Sequence, residues 1–400
     1  MSTLNVAKTG LIAFNKAMQM TSHNIANANT VGFTKSVADF KELPSVGTPP
    51  IGTGVKFQSK LANVFDKMLD GNLLNQFGNV GFEQGIKDAL ANIPADAVEN
   101  ITNKLAGFHK ASVELMNEPN SPAIKTNFIN KAQELTGAIN NFNNIASDTI
   151  IQVDQYLEQH VDEVNSLSAS IAQGLQYNQP VMADLQKLAE LVDIEVTDNN
   201  GTLQVTTDSG IQLVSGAQHN DISANDITPG IGGYLGGLKR ATTETIPALT
   251  TLTNDAVSTY MDRVNVEYIQ GNDTPLFGRQ GSNYTVIPQP NDVNAGTSTL
   301  GNDIALNIVG VTDGQNQHST IKAELLQADL TISNAKDHNV SSLERDIAFL
   351  DKLQADRNAK YGVDLDEEAV NLLQYKRAYE AMAKVIKADT EMFNSLLAVV

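Results

Sequence analysis

The chain has 400 residues, of which 41% are hydrophobic and 18% charged, and its formal net charge at pH 7 is −19. These proportions are typical of a globular protein and argue against wholesale disorder, and the length allows two or three domains. The acidic balance argues against nucleic-acid binding, because phosphate backbones are bound by clustered Lys and Arg. The chain has no Cys, which excludes disulfides, thiolate metal sites and cysteine nucleophiles.

The first segment is predicted to be an amphipathic helix with an apolar heptad seam. Gly10 weakens this helix by roughly 1 kcal/mol relative to Ala, so the helix needs a packing partner. Residues 1–38 contain three Lys but no acidic residue and no Arg. The longest early apolar run is LIAF, so neither a transit peptide nor a secretory signal is predicted, and no run is long enough to span a membrane. The seam residues are spaced by three and four: Leu4, Ala7, Leu11, Phe14 and Met18.

Long helices are predicted in the next part of the chain. Residues 37–60 are broken by Pro and Gly and are predicted to be a loop with short extended pieces such as GVKFQSKL. Helical periodicity runs from Val98 to Leu115. A second helical pattern starts at Ser121-Pro122 and continues to Leu175, as one helix or as two. A short helix follows at 184–192.

A β region is then predicted between helices. The stretch IEVTDNNGTLQVTTDSGIQLVSG alternates apolar and polar residues around Asn200-Gly201 and Ser209-Gly210, which predicts three antiparallel strands. Helical periodicity returns at 240–267. Residues 271–318 are predicted to be irregular with an extended piece at IALNIVGV, and helices are predicted at 319–335 and 341–360.

The last segment repeats the heptad seam of the first. We predict a helix from Asp366 onward, about 50 Å long at ~1.5 Å per residue. Two amphipathic helices without a partner in their own segments predict a coiled coil between them or between copies, although each helix could instead dock on the core of its own domain. Asp389 is the one polar member of the seam. The apolar seam residues are Leu372, Tyr375, Tyr379, Met382, Ile386, Phe393, Leu396 and Val400.

The predicted fold class is mainly α, with an inserted β domain in an elongated, multi-domain chain. Three domains are predicted from the order of the elements. Residues 1–40 and 362–400 form a terminal coiled-coil core. Residues 41–192 and 319–361 form a helical intermediate domain, and residues 193–318 form a mainly β outer domain with a helix near 240–267.

No motif points to catalysis, a cofactor or a metal. The six His show no metalloprotease spacing, and PGIGGYLGG lacks the third Gly of a dinucleotide-binding loop. The acidic stretch DLDEE, residues 364–368, precedes a long helix, where carboxylates favour the helix dipole. A wall hydrolase that uses Glu367 is the enzymatic alternative.

Two stretches carry a resemblance to the flagellar axial proteins. TSHNIANANTVGFTK, residues 21–35, resembles their N-terminal signature. The stretch from GVDLDEEAVNLL to FNSLL, residues 362–397, is similar to the C-terminal end of the hook-associated protein 1 family. Internal stretches are similar in the same order, least so over 271–320, and the chain is shorter than other members, which implies that an outermost domain is missing. The signature residues are Asn24, Asn27, Asn29, Gly32, Phe33, Asp366, Glu367 and Glu368.

This resemblance implies a structural role at the junction between the flagellar hook and filament. It implies type III export in an unfolded state, extracellular assembly by packing of the terminal helices, and no cofactor. The implied partners are further copies of the chain, the hook protein, a second junction protein that leads to the filament, and a cytoplasmic export chaperone at the C-terminal region. A rod or hook protein, or a cytosolic coiled-coil scaffold, is the alternative.

Overall fold

The computed structural model describes most of the chain and is mainly helical. Within the described ranges it contains ten α-helices and three small antiparallel sheets. The predicted fold class, long helices flanking a central antiparallel sheet, is therefore confirmed. The described residues are 2–30, 32–42, 55–61, 65–177, 179–199, 202–281, 283–296, 301–313 and 321–397.

Helices occupy both ends of the described chain and most of its middle. In chain order they are α1 Ser2–Ala26, α2 Leu69–Ala91, α3 Ala97–Asn117, α4 Pro122–Gln176, α5 Met182–Leu191, α6 Gly233–Arg240, α7 Ile246–Tyr268, α8 Asp303–Thr312, α9 Ile321–Tyr361 and α10 Leu365–Leu397. A π-helical turn, Ala241–Thr245, joins α6 to α7.

The strands form three separate sheets. β1 Ser36–Glu42 pairs with β2 Val55–Leu61, and β7 Phe277–Gln280 pairs with β8 Asn283–Val286. The predicted three-stranded meander is confirmed and gains a fourth short strand. Asn199 pairs with Thr202, although the predicted turn residues 200–201 lie outside the described residues. The meander strands are β3 Ile194–Asn199, β4 Thr202–Thr207, β5 Gln212–Ser215 and β6 Gln218–His219.

The chain forms two compact units. One contains residues 1–77, 164–221 and 347–400, and the other contains residues 78–163 and 222–346. The β3–β6 sheet lies in the unit with α1 and α10, and β7–β8 lie in the other unit. The predicted three-domain division stays a prediction, but the range 193–318 has more described residues in helices than in strands.

Two helical segments differ from the sequence prediction in continuity. The stretch 122–176, for which one or two helices were predicted, is a single helix of 55 residues. Residues 319–360, for which two helices were predicted, contain one continuous helix from Ile321 to Tyr361. No Gly or Pro interrupts this segment. Lys336 and Asn339 instead anchor its middle, since their side chains donate to the carbonyl oxygens of Ile93 and Glu83 at 2.8 and 2.9 Å.

The predicted extended piece at IALNIVGV is wrong, because this stretch lies in helix α8. Ile304, Ala305 and Ile308 are each 1% exposed. Residues at positions i, i+1 and i+4 lie on the same side of a helix, so this is the buried side of α8. A short apolar run cannot be assigned to helix or strand from periodicity alone. The segment 37–60, predicted to be a loop with short extended pieces, does contain extended pieces: β1, and β2 at the predicted stretch GVKFQSKL. Residues 43–54 lie outside the described residues.

The glycine cluster PGIGGYLGG, which lacks the dinucleotide-binding pattern, allows two helices to pack closely. A Cβ atom at Gly237 would collide with the carbonyl oxygen of Phe82, and one at Gly85 would collide with the carbonyl oxygen of Tyr234. The backbones of α2 and α6 therefore touch within the unit that contains them, which only glycine permits.

Candidate functional site

Helix α1 packs against α10 and against the β1–β2 hairpin. The buried face of α1 is made of small or polar side chains: Ala7, Gly10, Ala13, Ala17, Thr21 and Asn24. A Cβ atom at Gly10 would lie 3.3 Å from Cγ and Sδ of Met382 on α10. A side chain at Gly10, which weakens the isolated helix, would therefore press against the Met382 side chain.

The predicted seam residues take two kinds of position. Leu11, Phe14 and Met18 on α1, and Leu372, Tyr379, Met382 and Ile386 on α10, are half-buried. Leu4 is 40% exposed and Phe393 is 60% exposed, and the side chain of Leu396 lies outside the described residues. Both helices are therefore amphipathic as predicted, but the face of α1 that is fully buried is displaced by one residue from the predicted seam, toward the small side chains.

The two helices run antiparallel, and their lengths differ. Asn24 near the end of α1 contacts Glu368 near the start of α10, whereas Gly10, earlier in α1, faces Met382, later in α10. Because α10 has 33 residues and α1 has 25, the end of α10 extends past the start of α1. This explains why Phe393 is exposed although it continues the half-buried stripe of α10.

An aromatic cluster joins α1, α10 and the hairpin. The ring centroid of Phe14 lies 5.4 Å from that of Phe40 and 6.5 Å from that of Tyr375. Phe40 also lies 5.8 Å from Tyr375 and 6.0 Å from Phe57. Aromatic pairs at these distances stabilise a contact by about 0.5–1.5 kcal/mol beyond their buried area.

The N-terminal and C-terminal signatures meet at Asn24. Its Nδ2 donates to the carbonyl oxygen of Ser36 at 2.8 Å and to Oε1 of Glu368 at 3.1 Å, and its Oδ1 accepts from the N–H of Ser36 at 3.0 Å. Glu368 is only 4% exposed, and its burial raises the pKa of its carboxyl above the ordinary value. Beside it, Lys35 Nζ lies 2.8 Å from Oε2 of Glu367. We name these four residues, Asn24, Lys35, Glu367 and Glu368, the signature junction.

A buried ion pair lies within the same unit as the signature junction. Arg357 Nε donates to Oδ1 of Asp70 at 2.8 Å, and Arg357 Nη2 donates to Oγ1 of Thr34 at 2.8 Å. The two charged side chains are 4% and 0% exposed. Nearby, hydrogen bonds from Lys360 and then from Tyr361 hold the pKa of Asp66 well below its usual range. No sequence pattern predicts this network, because its members are far apart in the chain and form no motif.

The remaining signature residues shape the turn after α1. The helix ends at Ala26, and Asn27 Nδ2 donates back to the carbonyl oxygen of His23 at 2.9 Å. Gly32 has φ +75°, and a Cβ atom there would approach the Cα of Ala183 to 2.8 Å, so a side chain is excluded. Asn29 is exposed, and the Phe33 ring lies edge-on to His23 with centroids 5.7 Å apart.

The acidic stretch before α10 caps that helix. Asp364 Oδ1 accepts hydrogen bonds from the N–H groups of Asp366 and Glu367, at 2.9 and 3.2 Å, as an N-cap residue does. Asp366, Glu367 and Glu368 then occupy the first turn, where negative charge is favoured. In the part of the chain that the structure describes, no group of three or more His, Cys, Asp or Glu is placed to hold a metal ion. None of the described helices combines the length and apolarity of a membrane span.

Three family models match the chain, and their order follows the elements described above. The model "Flagella basal body rod protein" matches residues 4–34, and "Flagellar basal body rod FlgEFG protein C-terminal" matches residues 359–399. These two cover most of α1 with its turn and all of α10, and they include Asn24, Glu367 and Glu368 of the signature junction. Between them, the model "Flagellar hook-associated protein FlgK helical domain" matches residues 88–182, which include α3 and α4. This match supports a FlgK-family protein.

Known FlgK-family proteins resemble the chain to different extents. Flagellar hook-associated protein 1 of Salmonella typhimurium is 24% identical over 248 residues, which cover 56% of this chain and 44% of that protein. The chain thus spans less than half the length of that relative. The protein of the same name from Bacillus subtilis is 22% identical, over 98% of this chain and 97% of its own. The solved hook junction protein FlgK from Burkholderia pseudomallei matches 54% of this chain and 47% of its own, with 19% identity and a TM-score of 0.47.

Proposed function

We propose that this FlgK-family chain is a structural component of the bacterial flagellum that joins the hook to the filament. The observation that carries the proposal is the signature junction, where Asn24 and Glu368, 344 positions apart, form a buried hydrogen bond. The two stretches that resemble flagellar axial proteins are thereby parts of one packed α1–α10 pair. The name of its relatives, hook-associated protein 1, favours the junction over a rod or hook position.

Self-assembly is supported by a second apolar stripe on α10. Val370, Leu373, Val385 and Met392 are 65%, 50%, 38% and 59% exposed, and their helical spacing places them on a different side from the stripe that faces α1. Large apolar side chains exposed on one side of a helix are typical of an association surface. We propose that further copies of the chain cover this stripe in the assembled flagellum.

The proposed role requires extracellular assembly after export and implies four partners. These are further copies of the chain, the hook protein, the second junction protein that leads to the filament, and a cytoplasmic chaperone that holds the C-terminal region before export. The role is structural and uses no catalytic residue. Glu367, the residue of the hydrolase alternative, is ion-paired with Lys35 and lies in the first turn of α10.

Deletion of the gene tests this function. Cells that lack the chain should make complete hooks without filaments and release filament subunits into the medium, and the intact gene should restore filaments. Expressed in the deletion strain, the Val370→Asp variant should be exported but not assembled. Lys376→Asp, at an exposed polar position of the same helix, is the matched control and should restore filaments. A deletion strain with normal filaments would refute the proposal.

A further inference from the structure

Thr21 on α1 and Glu368 on α10 each bring a buried oxygen without a partner to the contact between the two helices. Thr21 is fully buried and Glu368 is 4% exposed. The Thr21 hydroxyl lies close enough to the Glu368 carboxyl to influence its pKa. Within the described part of the chain, however, neither Oγ1 of Thr21 nor Oε2 of Glu368 makes a hydrogen bond. One carboxyl oxygen of Glu368 is thus satisfied, by Asn24, and the other is not.

The cation next to this carboxyl is bound to a different carboxylate. Lys35 Nζ lies 2.8 Å from Oε2 of Glu367, whereas Glu368 accepts from the neutral amide of Asn24 at 3.1 Å. The negative charge of Glu367 also opposes a second negative charge at Glu368. An ionised Glu368 would therefore be a buried charge without an ion pair among the described residues, which is the costly case.

A proton on Glu368 would remove both defects. A neutral carboxyl has one O–H donor, so with a small side-chain rotation Oε2–H can donate to Oγ1 of Thr21, while Oε1 keeps the hydrogen bond from Asn24. Burial accordingly raises the pKa of the Glu368 carboxyl. The dipole at the start of α10 opposes this by about 0.3–1 kcal/mol, less than the cost of burying an unpaired charge. Tyr375, the next titratable residue along α10, stays neutral because burial raises its pKa as well.

The sign of the resulting pH dependence follows from the raised pKa of Glu368. The packed helices bind this proton more tightly than the separated helices, in which water surrounds the carboxyl. The stabilisation is therefore complete below the ordinary glutamate pKa of about 4.3 and is lost as pH rises through the higher pKa of the packed state. Between these two values, each pH unit increases the ratio of open to closed helices by up to about tenfold.

We propose that Glu368 makes the contact between the start of α10 and the end of α1 a pH-sensitive clasp. The protonated side chain holds the two helices together through Thr21 and Asn24. When pH rises, the proton passes to water, and the ionised carboxylate favours separation of the helices at this end. The clasp goes beyond the proposed junction function, because a structural joint requires packed helices but no titrating group between them.

Amide exchange of the full-length protein tests the clasp. Deuterium uptake in residues 15–26 of α1 would be followed from about pH 4 to about pH 8 and corrected for the intrinsic pH dependence of exchange. Protection should fall as pH rises above about 4.3 and should level off once Glu368 is ionised. Glu368→Gln should keep high protection throughout, because its neutral amide replaces the neutral carboxyl. Glu380→Gln, the same change at an exposed position of α10, should retain the pH dependence of the unmodified protein.

A carbon NMR titration measures the proton itself. The Glu368 carboxyl signal, assigned by its absence in Glu368→Gln, should have a midpoint above about 4.3. Glu367→Gln should lower that midpoint, because it removes a neighbouring negative charge and releases Lys35. A midpoint at or below the ordinary value, α1 protection that does not change with pH, or an unchanged pH dependence in Glu368→Gln would each overturn the proposal.

Discussion

Replacing Arg357 tests the buried network that holds the signature turn to α2 and α9. Both side chains of the Arg357–Asp70 pair are buried, 4% and 0% exposed, at an Nε–Oδ1 distance of 2.8 Å. Removing one partner of such a pair costs about 3–5 kcal/mol, because the other charge stays buried without its counter-ion. Arg357→Met should therefore lower the free energy of unfolding by this amount, and it also removes the hydrogen bond to Thr34.

The measurement is urea unfolding followed by circular dichroism, with the first transition analysed if the two units unfold separately. Lys387→Met is the control, since its partner Glu391 lies at 3.8 Å and the two side chains are 79% and 68% exposed. An exposed pair of this kind contributes at most about 1 kcal/mol. The double variant Arg357→Met with Asp70→Leu should recover part of the loss, because no charge is then left buried. A loss for Arg357→Met no larger than that for the control would refute the reasoning.

Three further predictions concern other parts of the fold. Asn24→Ala should lower the free energy of unfolding by about 1–3 kcal/mol, since Glu368 loses its buried donor; an unchanged urea midpoint would contradict this. Burial and then a neighbouring carboxylate raise the pKa of Asp193 to about 6. The native state therefore binds more protons than the unfolded state between about pH 4 and 6, and stability falls as pH rises through that range. Asp193→Asn should match the unmodified protein in melting temperature at pH 4 and exceed it at pH 8, and a carboxyl titration by carbon NMR with a midpoint near 4 would exclude the effect. Gly237→Ala should destabilise the protein by about 1–3 kcal/mol, because its Cβ atom would overlap the backbone of Phe82. Gly137→Ala, with open space around it inside α4, should instead stabilise the protein by about 1 kcal/mol. Equal effects of the two changes in thermal unfolding would contradict the close contact between α2 and α6.

The sequence was sufficient to predict the long helices and the meander, because these depend on local periodicity and turn residues. Heptad spacing predicted amphipathic α1 and α10, and Asn-Gly and Ser-Gly turns predicted the antiparallel strands. The exact buried face of α1 was not predictable in the same way. The heptad spacing predicts a seam of mostly large apolar residues such as Leu11. The fully buried face instead contains small residues such as Gly10 and Ala17, and this depends on the position of the partner helix.

The candidate site was predictable only in part for a similar reason. Resemblance identified Asn24 and Glu368 separately, but their hydrogen bond joins residues 344 positions apart and leaves no trace in local spacing. Arg357 is one Arg in a helix of mixed charge, and nothing in its neighbourhood distinguishes it from an exposed residue. The structure alone places it against Asp70 and Thr34, 287 and 323 positions away.

Immunogold electron microscopy of intact flagella tests the central claim most directly. Antibodies against the purified chain would be applied to detached flagella that retain both hook and filament. A structural junction component predicts gold particles confined to the boundary between the curved hook and the filament, absent from flagella of the deletion strain. Label distributed along the hook, along the filament or only inside the cells would contradict the account.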